Sequence, residues 1–339
     1  IISAPAGFGK TTLVCQWLAD LQPVSALTIA WLSVDEEDND LVRLLRHLVA
    51  ALQTCLPEIG SEAAQILQSP QPPLSALLPL LLNNMVELTA PLVLVLDDYH
   101  HIEASPVHSA ASALIEGLPP QVHVVIATRA DPPFPLARWR SRGQLAELRL
   151  NDLRLDPIET TSLLDLLLGK TLPEQVVNDL FQHTEGWIAG LQMAALAMRI
   201  YPGEQTAPDA QHFVQDFTHS NRFILDYLIE EVLQRQPEII QDFLLRTSIL
   251  NRLCAPLCDA VLGEIDMDLS AVSLPSSAAR SPLTSQSQAI LEHLDHANLF
   301  LIPLDSERCW YRYHQLFADL LQKQLLANQA DILPELHRR

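Results

Sequence analysis

The feature that most constrains the fold is the run Ala4-Pro5-Ala6-Gly7-Phe8-Gly9-Lys10-Thr11, which follows an apolar start and precedes a helical pattern. The run ends in the Gly-Lys-Thr of a phosphate-binding loop, although Ala4 stands where the first glycine of that pattern usually lies. In such a loop a strand ends, the chain turns back, and the N–H groups at the start of a helix point at a phosphate. The run therefore predicts a strand, a loop and a helix that together bind a phosphorylated ligand.

The residues of this loop have separate predicted contacts with a nucleotide. Lys10 would reach the β- and γ-phosphates, the Thr11 hydroxyl would coordinate Mg2+, and Thr12 is placed for the α-phosphate. Gly7 and Gly9 allow an approach of the backbone that a side chain would block. The predicted nucleotide-binding residues of the loop are Ala6, Gly7, Phe8, Gly9, Lys10, Thr11 and Thr12.

Two carboxylates follow a second apolar run, Leu92–Leu96. Five apolar residues that end in Asp97 and Asp98 are typical of a buried central strand with acids at its tip. Asp97 would hold the magnesium through water, and Asp98 would orient or deprotonate the water that attacks the γ-phosphate. The pair is therefore the predicted partner of the phosphate loop.

A cation ends a third apolar run, Val122–Thr128, because Arg129 follows it directly. Ligands of parallel sheets bind at the carboxyl ends of the strands, so Arg129 is predicted to sense the γ-phosphate. This strand would then lie between the phosphate-loop strand and the acidic strand, as in the additional-strand (ASCE) class of P-loop proteins. The alternative is that Arg129 makes only a surface salt bridge.

The first half of the chain alternates strand and helix patterns, which predicts a parallel sheet covered by helices. The strand patterns are Thr28–Val34, Leu92–Leu96, Val122–Thr128 and Leu145–Leu150. The helical patterns are Thr11–Leu21, Leu41–Leu56, Leu74–Leu88 and Val107–Gly117. The acidic run Asp35–Asp40 is predicted to be a solvated loop in which Asn39 or Asp40 caps the helix at Leu41.

From Asn151 onward the patterns are mostly helical, and they end in a hairpin pattern. The helical patterns are Pro157–Leu168, Pro173–His183, Ile188–Arg199, Arg222–Gln234, Pro237–Leu245, Ala289–Ala297 and Leu316–Leu326. The Ser-, Ala- and Pro-rich stretch Ser270–Gln288 is predicted to be a flexible loop. Two short strands, Leu299–Leu304 and Cys309–Tyr313, follow the penultimate helix, and helices followed by a hairpin favour a winged helix.

Composition narrows the classes of partner. The formal net charge is −20, so this stretch is not expected to grip DNA by itself, because phosphates would be repelled. No apolar run approaches the ~20 residues of a membrane span, so no membrane partner is expected. The 5 cysteines are irregularly spaced. Cys254 and Cys258 could face one another on a helix, but no second pair completes a zinc site, so the cysteines are predicted to be structural thiols in a reducing cytoplasm. The abrupt apolar start and the uncapped helical pattern at Leu333–Arg339 suggest a fragment of a longer protein.

Five blocks of the sequence resemble the MalT-type branch of the STAND ATPases, the large ATP-binding regulators of the LuxR type. The blocks are Ser3–Thr12, Asp97-Asp98-Tyr99-His100, Ala127-Thr128-Arg129, Thr184–Leu191 and Tyr311–Phe317. The resemblance implies an α/β P-loop NTPase of the ASCE/STAND type, an all-α helical lid domain and a winged-helix domain. The implied domains are a nucleotide-binding domain at 1–150, a helical lid at 151–220 and a winged helix at 221–326. The winged helix would contain a flexible loop at 264–288, and residues 327–339 would begin a truncated helical-repeat sensor.

The resemblance also implies a mechanism. ADP would hold a closed monomer, an inducer at a missing sensor would loosen it, and ATP would replace ADP. The open form would self-associate through its nucleotide-binding domains, reach DNA only through a missing C-terminal domain, and reset by slow ATP hydrolysis. His314 corresponds to the winged-helix histidine that contacts the ADP β-phosphate, and the alternative is an ordinary partly buried histidine. Gly186–Leu191 either contacts the nucleotide from the lid or is a plain core helix.

Two other functions stay open at this stage. One is a STAND ATPase with an effector other than a DNA-binding domain, in defence or as a scaffold. The other is a metabolic P-loop kinase, which would need an Arg-rich mobile lid near the phosphates. The sequence shows no such lid motif, and the predicted winged helix argues against this kinase.

Overall fold

The computed structural model describes residues 1–22, 26–69, 73–200, 222–263 and 285–339. The chain forms two compact units. Unit 1 comprises Ile1–Ala4 and Gly9–Leu153, and unit 2 comprises Pro5–Phe8 and Arg154–Arg339. The short loop segment Pro5–Phe8 therefore belongs to unit 2, although the chain on either side of it belongs to unit 1. Among the described residues, no helix is long and apolar enough to cross a membrane.

Unit 1 is built on a parallel four-stranded sheet in the order β1-β4-β3-β2. The strands are β1 (Ile2–Ser3), β2 (Thr28–Ser33), β3 (Leu92–Asp97) and β4 (Val122–Thr128). All six residues of β3 are buried, as an apolar run in the middle of a covered sheet requires. β4 lies between the phosphate-loop strand and the acidic strand, which confirms the prediction of an additional-strand sheet.

The helices of unit 1 pack on this sheet through amphipathic faces, and β2–β4 share one core with α2, α3, α4 and α5. The helices are α1 (Lys10–Leu21), α2 (Leu41–Cys55), α3 (Ser61–Leu67), α4 (Leu74–Val86), α5 (Ser105–Gly117), α6 (Leu136–Ser141) and α7 (Leu150–Leu153). Asp40 caps α2, since its carboxylate accepts a hydrogen bond from the Arg43 N–H, which confirms one of the two predicted caps. The sequence patterns missed α3 and α6, which are only 7 and 6 residues long.

The predicted strand Leu145–Leu150 is wrong. Only Leu148 pairs with β1, through an isolated parallel bridge to Ile2, and Leu150 already begins α7. The Ser3 N–H donates to the Leu148 carbonyl and the Leu148 N–H donates to the Ile1 carbonyl, each at 2.9 Å. β1 is only 2 residues long, so it offers too little backbone for a longer ladder on this edge.

The regular structure that is described in unit 2 is helical apart from one antiparallel hairpin. Its helices are α8 (Pro157–Leu168), α9 (Glu174–Thr184), α10 (Ile188–Ile200), α11 (Arg222–Leu228), α12 (Glu238–Thr247), α13 (Ala255–Leu262), α14 (Gln286–His296), α15 (Gln315–Asn328) and α16 (Leu333–Arg338). The hairpin pairs β5 (Leu301–Pro303) with β6 (Tyr311–Tyr313) and is shorter than predicted. The predicted single helix Arg222–Gln234 is α11 followed by a π-helical turn, Ile229–Leu233.

The predicted flexible loop 264–288 is partly wrong. Residues 264–284 lie outside the described residues, but α14 already begins at Gln286. Ser285 caps this helix, because its hydroxyl accepts a hydrogen bond from the Gln288 N–H at 3.2 Å. The predicted boundary between the lid and the winged helix, at 220/221, also lies outside the described residues.

Candidate functional site: a phosphate loop with paired acids

The phosphate loop has the backbone geometry that its glycines permit. Gly7 and Gly9 have φ angles of +77° and +74°, in the left-handed region that favours glycine. Gly9 caps α1, which begins at Lys10 without a side-chain cap. An anion at this helix start would be favoured by the positive end of the helix dipole and by the first N–H groups of the helix.

Lys10 is a buried cation at this helix start. Its Nζ donates to the Ala4 carbonyl at 2.9 Å, and the residue is 8% exposed. Burial, together with the nearby positive charge of Arg129, lowers the pKa of Lys10 to about 8, while Asp98 and Asp97 act in the opposite direction. An anion bound beside Lys10 would offset the cost of burying its charge.

Thr11 and Asp97 meet in unit 1 as the sequence predicted. The Thr11 hydroxyl donates to Asp97 Oδ1 at 3.0 Å, and the Asp98 N–H donates to the same oxygen at 3.1 Å. Asp97 is 4% exposed, and burial, with the adjacent charge of Asp98, raises the pKa of its carboxyl group. A hydroxyl and a carboxylate oxygen this close fit one Mg2+, which takes oxygen ligands. A divalent cation would also favour the ionised form of Asp97.

Asp98 differs from Asp97 in its surroundings. Its side chain is 48% exposed, and its φ angle of +56° lies in the left-handed region that non-glycine residues rarely adopt. His100 Nδ1 lies 3.8 Å from Asp98 Oδ1. The structure thus holds Asp98 beside the buried Asp97, but with its carboxylate free to reach a water molecule.

The remaining loop residues divide between the two units. Thr12 is exposed on α1 in unit 1, and Arg129 follows β4 there, close enough to influence Lys10 electrostatically. Ala6, Gly7 and Phe8 belong to unit 2. In unit 1 the structure therefore brings together five predicted side chains, which are Lys10, Thr11, Asp97, Asp98 and Arg129.

His314 is buried in unit 2. Its Nε2 lies 2.9 Å from the Thr184 carbonyl oxygen, which can only accept, so Nε2 carries the proton. Its Nδ1 is buried and has no hydrogen-bond partner among the described residues. Burial lowers the pKa of His314 to about 4, although the negative charge of Glu185 acts in the opposite direction. The ring is therefore neutral at pH 7, with a lone pair on Nδ1.

Sequence reasoning missed two residues of unit 2. Trp187 is fully buried, and its indole N–H donates to the Ala6 carbonyl at 3.0 Å. Glu185 is 8% exposed and binds the Arg312 guanidinium through two hydrogen bonds of 2.7 Å. Both lie in the block Thr184–Leu191, but their partners are 181 and 127 residues away in sequence, so local patterns do not reveal them.

Comparison with known proteins places this fold and site in a class. Residues 229–333 match the family model of the MalT winged helix domain. The HTH-type transcriptional regulator MalT of Yersinia enterocolitica is 32% identical over 339 residues, which are 99% of this chain and 34% of that regulator. The serine/threonine-protein kinase PknK of Mycobacterium tuberculosis is 29% identical over 340 residues, which are 100% of this chain and 28% of that kinase. Among solved structures, the Orc1 protein of Aeropyrum pernix in complex with DNA superposes with a TM-score of 0.44 and 11% identity, over 97% of this chain and 87% of that one.

The sheet order and the phosphate loop are those of a P-loop protein of the additional-strand class. Within that class the chain is similar to MalT, because residues 229–333 match the MalT winged helix domain and 99% of the chain aligns with that regulator. The chain spans about a third of the length of the curated relatives that it matches.

Proposed function

We propose that this chain is the nucleotide-dependent switch of a STAND-type regulator and that it binds ADP or ATP with Mg2+. The observation that carries the proposal is the junction of the phosphate loop with the acidic strand. There, buried Lys10 starts α1, and the next residue, Thr11, donates to Asp97 at the tip of β3. Helix N–H groups, an ammonium group and paired oxygen ligands are the parts that a magnesium nucleotide requires.

Each side chain has a distinct part in the proposed site. Lys10 would neutralise charge on the β- and γ-phosphates, and Thr11 and Asp97 would hold Mg2+, which would supply further positive charge for the phosphates. Asp98, exposed beside Asp97, orients the attacking water and accepts its proton. Arg129 stabilises the negative charge of the γ-phosphate. Hydrolysis by this set serves to reset the switch and is slow.

His314 supplies the proposed difference between the ADP and ATP states. Its Nδ1, which has no hydrogen-bond partner among the described residues, is the ring atom that can contact the ADP β-phosphate, because Nε2 already donates to the Thr184 carbonyl. A phosphate oxygen only accepts hydrogen bonds, so this contact requires a protonated ring, and the phosphate charge would raise the pKa of His314 from its low value. ADP then stabilises a closed monomer, and ATP permits an open form that self-associates through the nucleotide-binding domains.

The output of the switch is proposed from its relatives. One relative is named an HTH-type transcriptional regulator, which favours control of transcription through a DNA-binding domain and an inducer at a separate sensor. Another is named a serine/threonine-protein kinase, which favours the same switch joined to a different effector as the second candidate. The MalT winged helix match favours either over a metabolic P-loop kinase.

The test of the nucleotide site is calorimetric titration of the wild type and of Lys10→Ala with Mg-ADP and Mg-ATP. Loss of a charged hydrogen bond to phosphate is expected to weaken binding at least roughly 10-fold. Lys170→Ala, which removes an exposed lysine beyond α8, is the matched control and is expected to bind as the wild type does. Unchanged affinity in Lys10→Ala would contradict the assignment of the phosphate site.

A further inference from the structure

The proposed function gives no role to Trp187 and Ala189 of the block Thr184–Leu191, yet this block contacts the phosphate loop inside unit 2. It joins the end of α9 to the start of α10, and Trp187 at its centre is 0% exposed. The Trp187 indole N–H donates to the Ala6 carbonyl, and the Ala189 N–H donates to the Gly7 carbonyl, each at 3.0 Å. Two successive carbonyl groups of the loop are therefore held by this block.

The direction of these two carbonyls fixes the direction of two N–H groups. A trans peptide unit is planar, and its C=O and N–H groups point in opposite directions. The Ala6 carbonyl shares its peptide unit with the Gly7 N–H, and the Gly7 carbonyl shares its unit with the Phe8 N–H. Because Trp187 and Ala189 hold the carbonyls, the Gly7 and Phe8 N–H groups point away from α10. These are backbone donors of the kind that cradle a phosphate.

Two glycines make room for this contact. A Cβ added at Gly7 would lie 2.6 Å from both Trp187 Nε1 and Ala189 Cβ, closer than real Cβ contacts. A Cβ added at Gly190 would lie 2.6 Å from a carbon of the Trp187 ring. Glycine inside a helix is otherwise disfavoured, so Gly190 in α10 is explained by the space that the indole needs.

We propose that Trp187, with the Ala189 N–H, is a positioning residue that holds the phosphate loop with its N–H groups set for the β-phosphate. The role explains why a glycine, Gly190, follows the tryptophan inside α10, and it deepens the proposed function, on which it rests. Trp187 acts through the loop backbone rather than by touching the nucleotide. Because ADP and ATP both carry a β-phosphate, the effect extends to both.

The first test is Trp187→Phe, which keeps an aromatic ring in the buried site but removes the N–H donor. Without the donor, the nucleotide itself must order the loop, so affinity for Mg-ADP and Mg-ATP is expected to fall about 2- to 10-fold, the range of one neutral hydrogen bond. Trp310→Phe is the matched control, because Trp310 is 43% exposed beside β6, and this variant is expected to bind as the wild type does. Titrations are made well below the unfolding midpoint of each variant, so that lost stability alone does not alter them.

The second test is Gly190→Ala, which keeps the tryptophan but pushes its ring away. Alanine is the better helix former, so a purely structural view predicts no loss, whereas the positioning role predicts the same 2- to 10-fold weakening as for Trp187→Phe, about one hydrogen bond. Unchanged affinity in both variants, with binding still dependent on Lys10, would overturn the inference and leave the nucleotide site intact. Binding that survives Lys10→Ala would instead overturn the proposed function itself.

Discussion

At the scale of single residues, the two adjacent carboxylates Asp97 and Asp98 have different surroundings, and these support the different roles proposed for them. Asp97 is buried, accepts hydrogen bonds from Thr11 and from the Asp98 N–H, and suits a metal ligand. Asp98 has a half-exposed side chain and a left-handed backbone, which turns it out of the strand direction of β3. A general base needs access to water, which favours the half-exposed Asp98 over the buried Asp97 as the proposed base.

Asp98→Asn is therefore expected to separate hydrolysis from binding. Asparagine tolerates the left-handed conformation and keeps the side-chain shape, but it cannot accept the proton of the attacking water. ATP turnover is expected to fall ~10²–10⁴-fold with little change in ATP affinity. Steady-state phosphate release and calorimetric titration measure the two quantities.

The contrasting variant is Asp97→Asn, which removes a charged oxygen ligand of the proposed Mg2+ site. Its affinity for ATP is therefore expected to depend less on added Mg2+ than the affinity of the wild type does. Intact turnover in Asp98→Asn would show that another group activates the water. In that case Asp98 would serve the local backbone and not the chemistry.

The phosphate loop and its acids were predictable from sequence because their chemistry lies within a few residues and at strand ends. Gly9, Lys10 and Thr11 are consecutive, and Asp97 ends an unbroken apolar strand. Trp187 and Glu185 were not predictable in the same way, since their partners Ala6 and Arg312 are distant in sequence. Only the fold brings such groups together.

At the scale of elements, Glu185 ties four parts of unit 2 together. It follows α9 with a φ angle of +51°, and its carboxylate binds Arg312 of β6 and the Gln315 N–H at the start of α15. Arg154, before α8, lies 2.9 Å from the same carboxylate. Burial alone would raise the pKa of Glu185, but the hydrogen bonds from Arg312 and from the Gln315 N–H outweigh it and lower this pKa to about 2. The carboxylate thus joins the helical segment to the winged helix.

Glu185→Gln is expected to lower the free energy of unfolding of unit 2 by about 2–3 kcal/mol, because two guanidinium groups lose a buried counter-charge while the shape is kept. Asp242→Asn is the matched control, since it removes only an i,i+4 pair with Arg246 on α12 and should cost about 0.5 kcal/mol or less. Urea unfolding of the three proteins measures the difference. Equal losses in the two variants would show that Glu185 is no more than a surface ion pair.

The same carboxylate gives a pH dependence whose sign is fixed. The folded pKa of Glu185 lies below its ordinary value of 4.5, so its contribution is fully present above pH 4.5 and is lost as pH falls towards 2. Unfolding midpoints of the wild type should therefore fall over this range more steeply than those of Glu185→Gln. Parallel curves would contradict the low pKa of the carboxyl group.

Long amphipathic elements were predicted well, and short or edge elements were not. Pro157–Leu168 and Val122–Thr128 have the predicted bounds, because their patterns run over several turns or a full strand. The segment at Leu145–Leu150 has the apolar content of a strand, but the two-residue edge β1 limits it to one bridge at Leu148. Pairing at a sheet edge depends on the neighbour, which a single segment does not encode.

At the scale of the whole molecule, the proposed switch needs ADP to bind one state better than the other, because a ligand shifts an equilibrium only by its differential affinity. His314 is the candidate for this difference. It lies in unit 2, which also contains the loop residues Pro5–Phe8, and its buried Nδ1 lacks a partner among the described residues. A charged hydrogen bond from this nitrogen to the β-phosphate would be lost when the protein opens.

His314→Ala is expected to release ADP roughly 5–150-fold faster, which corresponds to a hydrogen bond of ~1–3 kcal/mol, and to raise the fraction of self-associated protein. Stopped-flow displacement of a fluorescent ADP and analytical sedimentation measure the two effects, with His337→Ala, an exposed histidine on α16, as the control. Because the contact requires a protonated ring, and the pKa of His314 is about 4 without ADP, the wild type should also hold ADP more tightly as pH falls from neutrality towards 4, and His314→Ala should lose this dependence. Equal off-rates and equal monomer content in wild type and variant would remove His314 from the switch and leave a nucleotide-binding protein whose states are coupled by other contacts.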